Sequence, residues 1–252
     1  MCANYTPGRN DLIEDETGLA VAFPILPEVF PGQAAPLIIL TKNGEWQCIG
    51  SSFGLVPVWA KDENFARYTY NARSETADTK PSFRRAWKDR QIGLVPMTSF
   101  YEPRYGANNE LQNGEAQSDD PPAAVRWRIH RADRALFFAA ALFELRPSAS
   151  PSAQGLISHT LLTVNADGHP LMQRFHKQDD EKRSIVTFDW TQGVQWMMEN
   201  RGLTSELKQS LLPLNSDLYT AEPAAVNRLP KRPAKTKTPK FRYSIPKKQE
   251  LF

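Results

Sequence analysis

Residues 135–143 (ALFFAAALF) form an unbroken apolar run of nine. Ahead of them stand the turn-like Arg131-Ala132-Asp133-Arg134 and the alternating stretch 124–130 (AVRWRIH). Alternation marks a strand with one buried face, and a short apolar run bounded by turn residues suits a strand buried on both faces. The pair predicts a hairpin whose second strand runs over 135–145. Nine residues are also too few to cross a bilayer, which takes about 20, so no membrane span is expected.

The same reading predicts strands at 36–40, 46–49, 92–96, 160–164 and 184–188. Helices are predicted at 82–88, 192–200 and 205–212. Val194, Met197 and Met198 would make the inner face of the second. Leu203, Leu207 and Leu211 would make that of the third, with Thr204 or Ser205 as its cap. Residues 105–122 and 147–158 are polar and rich in Gly, Pro or Ser, and are read as loops. No internal repeat is visible. Strands outnumber helices without alternating with them, which disfavours a doubly wound sheet. With 40% apolar and 23% charged residues over 252 positions, the chain can bury a substantial core, which excludes collagen-like, coiled-coil and wholly disordered architectures.

Charge divides the chain unevenly. The formal net charge is +3. From Arg228 onward there are nine Lys/Arg and one acid, Glu250, so the tail carries +8 and the preceding 227 residues −5. Pro230, Pro233, Pro239 and Pro246 interrupt this tail, which is expected to be extended and flexible and to attract polyanions. A folded body over 2–227 and a basic tail over 228–252 follow. Two cysteines, Cys2 and Cys48, exclude a disulfide scaffold and an all-Cys metal site and suit a reducing compartment. No charged start followed by an apolar stretch marks a secretory signal, so a cytoplasmic location is expected.

Four segments carry side chains with chemistry. With Met1 removed, Cys2 would present an α-amine and a thiol on one carbon skeleton, with pKa values of about 7.7–8.0 and about 8.5. Such a 1,2-aminothiol attacks an aldehyde with its nitrogen and closes a five-membered thiazolidine with its sulfur. The other use of such a cysteine is as nucleophile in amide hydrolysis, with its own amine as base. Residues 70–76 (YNARSET) read as a loop tip or a strand end. In Ser99-Phe100-Tyr101-Glu102-Pro103 an acid stands directly behind two aromatics, where partial desolvation would make it a general acid or base; a plain exposed acid is the other reading. The histidines, His130, His159, His169 and His176, do not have zinc-motif spacing. No phosphate-binding glycine loop or GxSxG is present, so neither a metal nor a nucleotide cofactor is expected.

Taken in order, Cys2, the run Phe53-Gly54-Leu55-Val56-Pro57-Val58-Trp59, then Asn71-Ala72-Arg73-Ser74-Glu75-Thr76, Phe100-Tyr101-Glu102, and Pro170-Leu171-Met172-Gln173-Arg174-Phe175-His176 resemble the SRAP family. These are the SOS-response-associated peptidases, or abasic-site processing proteins. The resemblance spans residues 2–227. It implies a single α+β domain with a mostly antiparallel, barrel-like β core and short flanking helices. It also implies a groove for single-stranded DNA, and capture of the ring-opened abasic sugar as a thiazolidine on Cys2. By resemblance Asn71 orients the N-terminus, Glu102 shuttles protons and His176 assists sugar ring opening. Arg73 then clamps a phosphate, Pro31 and Trp59 wedge against or stack on bases, and Thr163 is a further DNA contact.

The chain also departs from the family pattern. Ala3-Asn4 follows Cys2 where Gly-Arg is usual, Glu28-Val29-Phe30-Pro31 replaces Asn-Val-Ala-Pro, and the stretches 61–70 and 177–183 are longer. Two other functional classes stand beside the leading one. A thiol peptidase, with self-removal of Met1, would use Cys2, His176 and Asn71, and lyase-type chemistry belongs to the same site. A non-enzymatic DNA-bound module would dock on a sliding clamp through Gln249, Leu251 and Phe252. A monomer acting near the nucleoid is expected.

Overall fold

The computed structural model describes residues 2–105, 124–148, 155–202 and 206–224. The described strands are β1 (Tyr5–Pro7), β2 (Ala34–Leu40), β3 (Trp46–Phe53), β4 (Asn71–Arg73), β5 (Ile92–Arg104), β6 (Val125–Arg131), β7 (Phe137–Arg146), β8 (Leu156–Asn165), β9 (Arg183–Ile185), β10 (Thr187–Phe188) and β11 (Tyr219–Pro223). The α-helices are α1 (Asn10–Thr17), α2 (Arg84–Lys88) and α3 (Trp190–Asn200).

Five strands close on themselves in the order β7-β8-β3-β2-β5, and β5 pairs back onto β7. The ring is not a clean barrel. The first half of β5 pairs with β7 from Ile92↔Leu142 to Met97↔Phe137. Its second half leaves the ring to pair with β6, from Phe100↔Ile129 to Arg104↔Val125, and β11 extends this wing. Most pairings are antiparallel. The exceptions are β3 and β4, which run parallel to β8.

This closure explains why residues 135–143 do not alternate. Phe137, Ala139, Ala141 and Phe143 join one core with Leu37, Ile39, Val95 and Met97. Phe138, Ala140 and Leu142 join a second core with Ile38, Leu94 and the helical Trp196 and Met197. Both faces of β7 are buried, so both sets of positions must be apolar. Full burial of each Phe is worth roughly 1.5–3 kcal/mol. Helix α3 approaches closely because position 193 is glycine: a Cβ there would stand 2.8 Å from Leu94 Cδ1. Its start is fixed by a capping box between Asp189 and Gln192.

The predicted hairpin at 124–145, the strands and the helices at 82–88 and 192–200 are present with shifted ends. Two readings need correction. The predicted helix 205–212 is a 3-10 turn, Leu207–Ser210, because Pro213 follows one turn later; Leu203, Thr204 and Ser205 lie outside the described residues. The loop predicted at 147–158 already belongs to β8 from Leu156 onward. Of the two readings of residues 70–76, the strand holds, over Asn71–Arg73. Helix α1 and strands β1 and β11 were not predicted, being too short or too polar to show a period. Most of the loop predicted at 105–122 and the whole basic tail, with Gln249, Leu251 and Phe252, lie outside the described residues. No helix among the described residues is long and apolar enough to cross a membrane.

Candidate active site

Strand β1 delivers the start of the chain to the middle of β5. Tyr5 pairs with Phe100 and Thr6 with Ser99, and the Tyr101 N–H donates to the Asn4 carbonyl at 3.3 Å. Cys2 thereby reaches the level of Glu102 and is 1% exposed. Its carbonyl accepts a hydrogen bond from Asn71 Nδ2 at 2.8 Å. Asn71 opens β4, and pairing with Leu161 on β8 fixes its place. The Asn71 Oδ1 is buried without a hydrogen-bond partner among the described residues, an acceptor available to a nearby N–H. The Cys2 thiol donates to the Asn4 carbonyl at 3.4 Å. Burial, and then the nearby Glu102 carboxylate, push its pKa well above the usual thiol range.

Glu102 lies on β5 opposite Trp127 of β6, and its side chain is 2% exposed. His176 Nε2 stands 2.9 Å from Glu102 Oε2. The His176 backbone is held in place, since its N–H donates to the Pro103 carbonyl at 2.7 Å and its φ is +63°. That is a left-handed conformation uncommon for histidine and one that marks a constrained position. The preceding 3-10 turn, Met172–Arg174, is organised by His169. Its Nδ1 accepts from the Leu171 and Met172 N–H groups, each at 3.2 Å. Its Nε2 donates to the Leu214 carbonyl at 2.7 Å. His169 is thus structural, and Phe175 anchors the far end of the turn in the core.

A cavity of about 310 Å³ opens beside this pair, lined by Ala3, Asn4, Tyr101, Glu102, Arg126 and His176. That is the lower end of small-ligand pockets. Asn4 and Glu28, read separately as departures from the family pattern, meet here: Asn4 Nδ2 donates to Glu28 Oε1, which also pairs with Arg126. The Arg126 guanidinium lies over the Tyr101 ring, 3.4 Å from its centre. Arg104 and Arg174 stand over the Trp127 ring at 4.9 and 5.6 Å. None of these arginines was singled out from the sequence. The period-2 pattern of AVRWRIH, which sets Arg126 and Arg128 opposite the buried Trp127, is the signal that marks Arg126.

Cys2, Asn71, Glu102 and His176 are therefore gathered in one place, with Arg73 two residues along β4 from Asn71, while none of the predicted DNA contacts lines the cavity. Arg73 is half exposed and its Nη1 pairs with Glu181 Oε2 at 2.7 Å. Trp59 is 55% exposed and stands edge-to-face on Phe65 at 5.1 Å. The turn after β3 that leads to it requires Gly54, whose φ is +99° and whose Cβ would fall 2.2 Å from the Ala66 carbonyl oxygen. Pro31 occupies a turn held by Gly32 N–H on the Phe53 carbonyl, next to β1 through the Tyr5–Val29 bridge. Thr163 differs from the others. It is 1% exposed and accepts from Arg183 Nη2 at 3.2 Å, so its side chain forms a floor beneath Arg183 rather than part of the surface. Among the described residues no group of three or more His, Cys, Asp or Glu is arranged to hold a metal ion.

The chain is similar to several known proteins. "Abasic site processing protein YoaM" of Bacillus subtilis is 28% identical over 223 residues, covering 86% of this chain and 88% of the relative. "Abasic site processing protein YoqW" of the same organism is 27% identical over 182 residues, covering 72% of this chain and 71% of the relative. A crystal structure of a Bordetella bronchiseptica protein superposes with a TM-score of 0.73 at 24% identity, covering 89% of this chain and all of the other. One from Bacteroides thetaiotaomicron gives 0.64 at 18% identity, covering 89% and 93%. The profile of the SOS response associated peptidase (SRAP) family matches residues 12–228. With most of its length matched, the chain belongs to the SRAP family.

Proposed function

We propose that this protein processes abasic sites in single-stranded DNA by covalent capture on Cys2. The observation that carries the reading is the Cys2 backbone, tied to Asn71, at the level of the Glu102–His176 pair beside a sugar-sized cavity. The names of the relatives YoaM and YoqW support abasic-site processing. The family profile begins after Cys2, so the assignment of Cys2 rests on this geometry and on its resemblance to the family's cysteine.

In the chain that retains Met1, the Cys2 nitrogen is an amide and cannot form an imine. Removal of Met1 frees it. The amine adds to the aldehyde carbon of the ring-opened sugar, and the resulting carbinolamine loses one water to give an imine. The thiol sulfur then bonds to the imine carbon while its proton goes to nitrogen, closing the thiazolidine with no oxidant or reductant. Glu102 and His176 supply and remove the protons of the dehydration and ring-opening steps. Asn71 orients the N-terminus. Arg73 contacts a phosphate, Trp59 and Pro31 contact bases, and the basic tail adds nonspecific attraction. A thiol-peptidase mechanism that took His176 as its base would need that imidazole on the sulfur; His176 Nε2 stands against Glu102 instead, which favours proton exchange there.

The test is to mix the mature protein with an abasic single strand and resolve it under denaturing conditions. A heat-stable adduct is expected, lost in Cys2→Ala and absent as a stable ring in Cys2→Ser. Persistence of the adduct in Cys2→Ala would overturn the assignment. The intact mass shows whether Met1 has been removed.

A further inference from the structure

A second groove, of about 1350 Å³, lies at the other end of β5, where β2 ends and α2 and α3 come together. Its walls carry Lys42, Arg84, Arg85, Lys88, Arg90 and Arg201 against two acids, Asp78 and Asp89. Asp89 is engaged by Arg85 and Asp78 by Lys208. Lys42, Arg84 and Lys88 are exposed, and none of the three forms an ion pair with another described residue. This concentration of cations is not a by-product of composition, because the first 227 residues are net acidic. Apolar surface comes from the half-buried Leu40 and the exposed Pro147, over the buried Ile92, Phe143 and Met197. Ile92 and Glu102 are ten residues apart on one strand, or about 30 Å of extended chain, so this is not part of the Cys2 cavity.

The structure assigns to this groove a second contact for the sugar-phosphate backbone of nucleic acid. Unpaired cations along an open trough suit a row of phosphates, and the apolar surface suits a sugar or base. The volume exceeds that of ordinary small-ligand pockets, which favours a polymer over a single nucleotide. The assignment rests on the DNA reading above but uses none of its catalytic residues.

The test compares full-length protein with a Lys42→Glu/Arg84→Glu/Lys88→Glu variant by fluorescence anisotropy. The probes are an undamaged strand of about 8 nucleotides and one of about 40. Matching melting curves establish that the variant is folded; if the triple variant melts early, the single Arg84→Glu variant is used, with a slope change of about 0.7 expected. For the longer strand, affinity should fall at least about tenfold, and the slope of log K against log salt should shrink by about 2. Short-strand affinity and adduct rate on a short abasic strand should stay as in wild type. An unchanged salt slope on the long strand overturns the proposal. So does an equal loss of affinity for a nucleoside triphosphate titrated alone, since the groove would then be a mononucleotide site. Failure of wild type to form any adduct, with the long-strand loss intact, removes the Cys2 chemistry and leaves the groove.

Discussion

Asn71 Nδ2 donates to the Cys2 carbonyl at 2.8 Å, tying the start of the chain to a short strand that belongs to the other side of the sheet. It adds to the pairing of β1 with β5 and the Tyr101–Asn4 backbone bond an anchor on the Cys2 carbonyl itself. Replacing Asn71 by Ala should slow adduct formation about 10–100-fold, the cost of a small misplacement of a reacting group, with little change in DNA affinity. Single-turnover gel assays and anisotropy measure the two separately. A wild-type rate in Asn71→Ala would show that Cys2 needs no such anchor.

Glu102 raises the Cys2 thiol pKa through its negative charge, secondary to burial. Glu102→Gln keeps the shape and removes the charge. The pH curve of thiol alkylation should then move to lower pH, because a carboxylate no longer opposes the thiolate. Adduct formation should nevertheless slow, by about 10²-fold, since the proton carrier is gone. A variant that gains thiolate and also gains rate would remove Glu102 from proton transfer.

The strands were legible because they are written in local pattern, whereas Cys2, Asn71, Glu102 and His176 were singled out through the family resemblance. Apolar runs mark strands buried on both faces, and the structure brings Cys2 next to Asn71 and Glu102 next to His176. What joins distant segments was not legible. Nothing near Asn4 or Glu28 announces that the two bond to each other and to Arg126. Likewise the thirteen residues of β5 pair with β7 and β2 toward one end and with β6 and β1 toward the other, which no local window records. Thr163 looked available because its own segment is silent about Arg183, which comes from β9 to cover it.

Glu181 occupies the Arg73 guanidinium from the extended 177–183 stretch, and it also pairs with Arg183. A phosphate at Arg73 must displace it. Glu181→Gln should therefore tighten binding of single-stranded DNA, by up to about fivefold, the range of a partly exposed ion pair. The gain should vanish in the Arg73→Ala background. Weaker binding in Glu181→Gln would mean that the acid organises the site instead of competing for it.

His159 gives the fold a pH dependence whose sign is fixed by its surroundings. It is wholly buried, stacked on Phe53 at 5.4 Å, with Nδ1 2.8 Å from Ser51 Oγ and Nε2 3.3 Å from the Tyr5 hydroxyl. Burial lowers its pKa from 6.5 to about 3. The folded protein keeps this ring neutral while the unfolded chain protonates it below about 6.5. Its contribution is therefore fully present above about pH 6.5 and is lost as pH falls toward 3. Well below 6.5 the unfolding free energy should drop by about 1.4 kcal/mol per pH unit from this residue. Urea unfolding at pH 7, 6 and 5, chosen to lie above most carboxylate titration, should show that slope in wild type. His159→Gln should be less stable at pH 7 yet shallower by nearly that amount between pH 6 and 5. Because the Tyr5 hydroxyl meets this ring and β1 carries Cys2 to its place, acid should also loosen the N-terminus before global unfolding, seen as faster alkylation of Cys2 relative to Cys48. Equal slopes in wild type and variant would mean that His159 takes up its proton without unfolding.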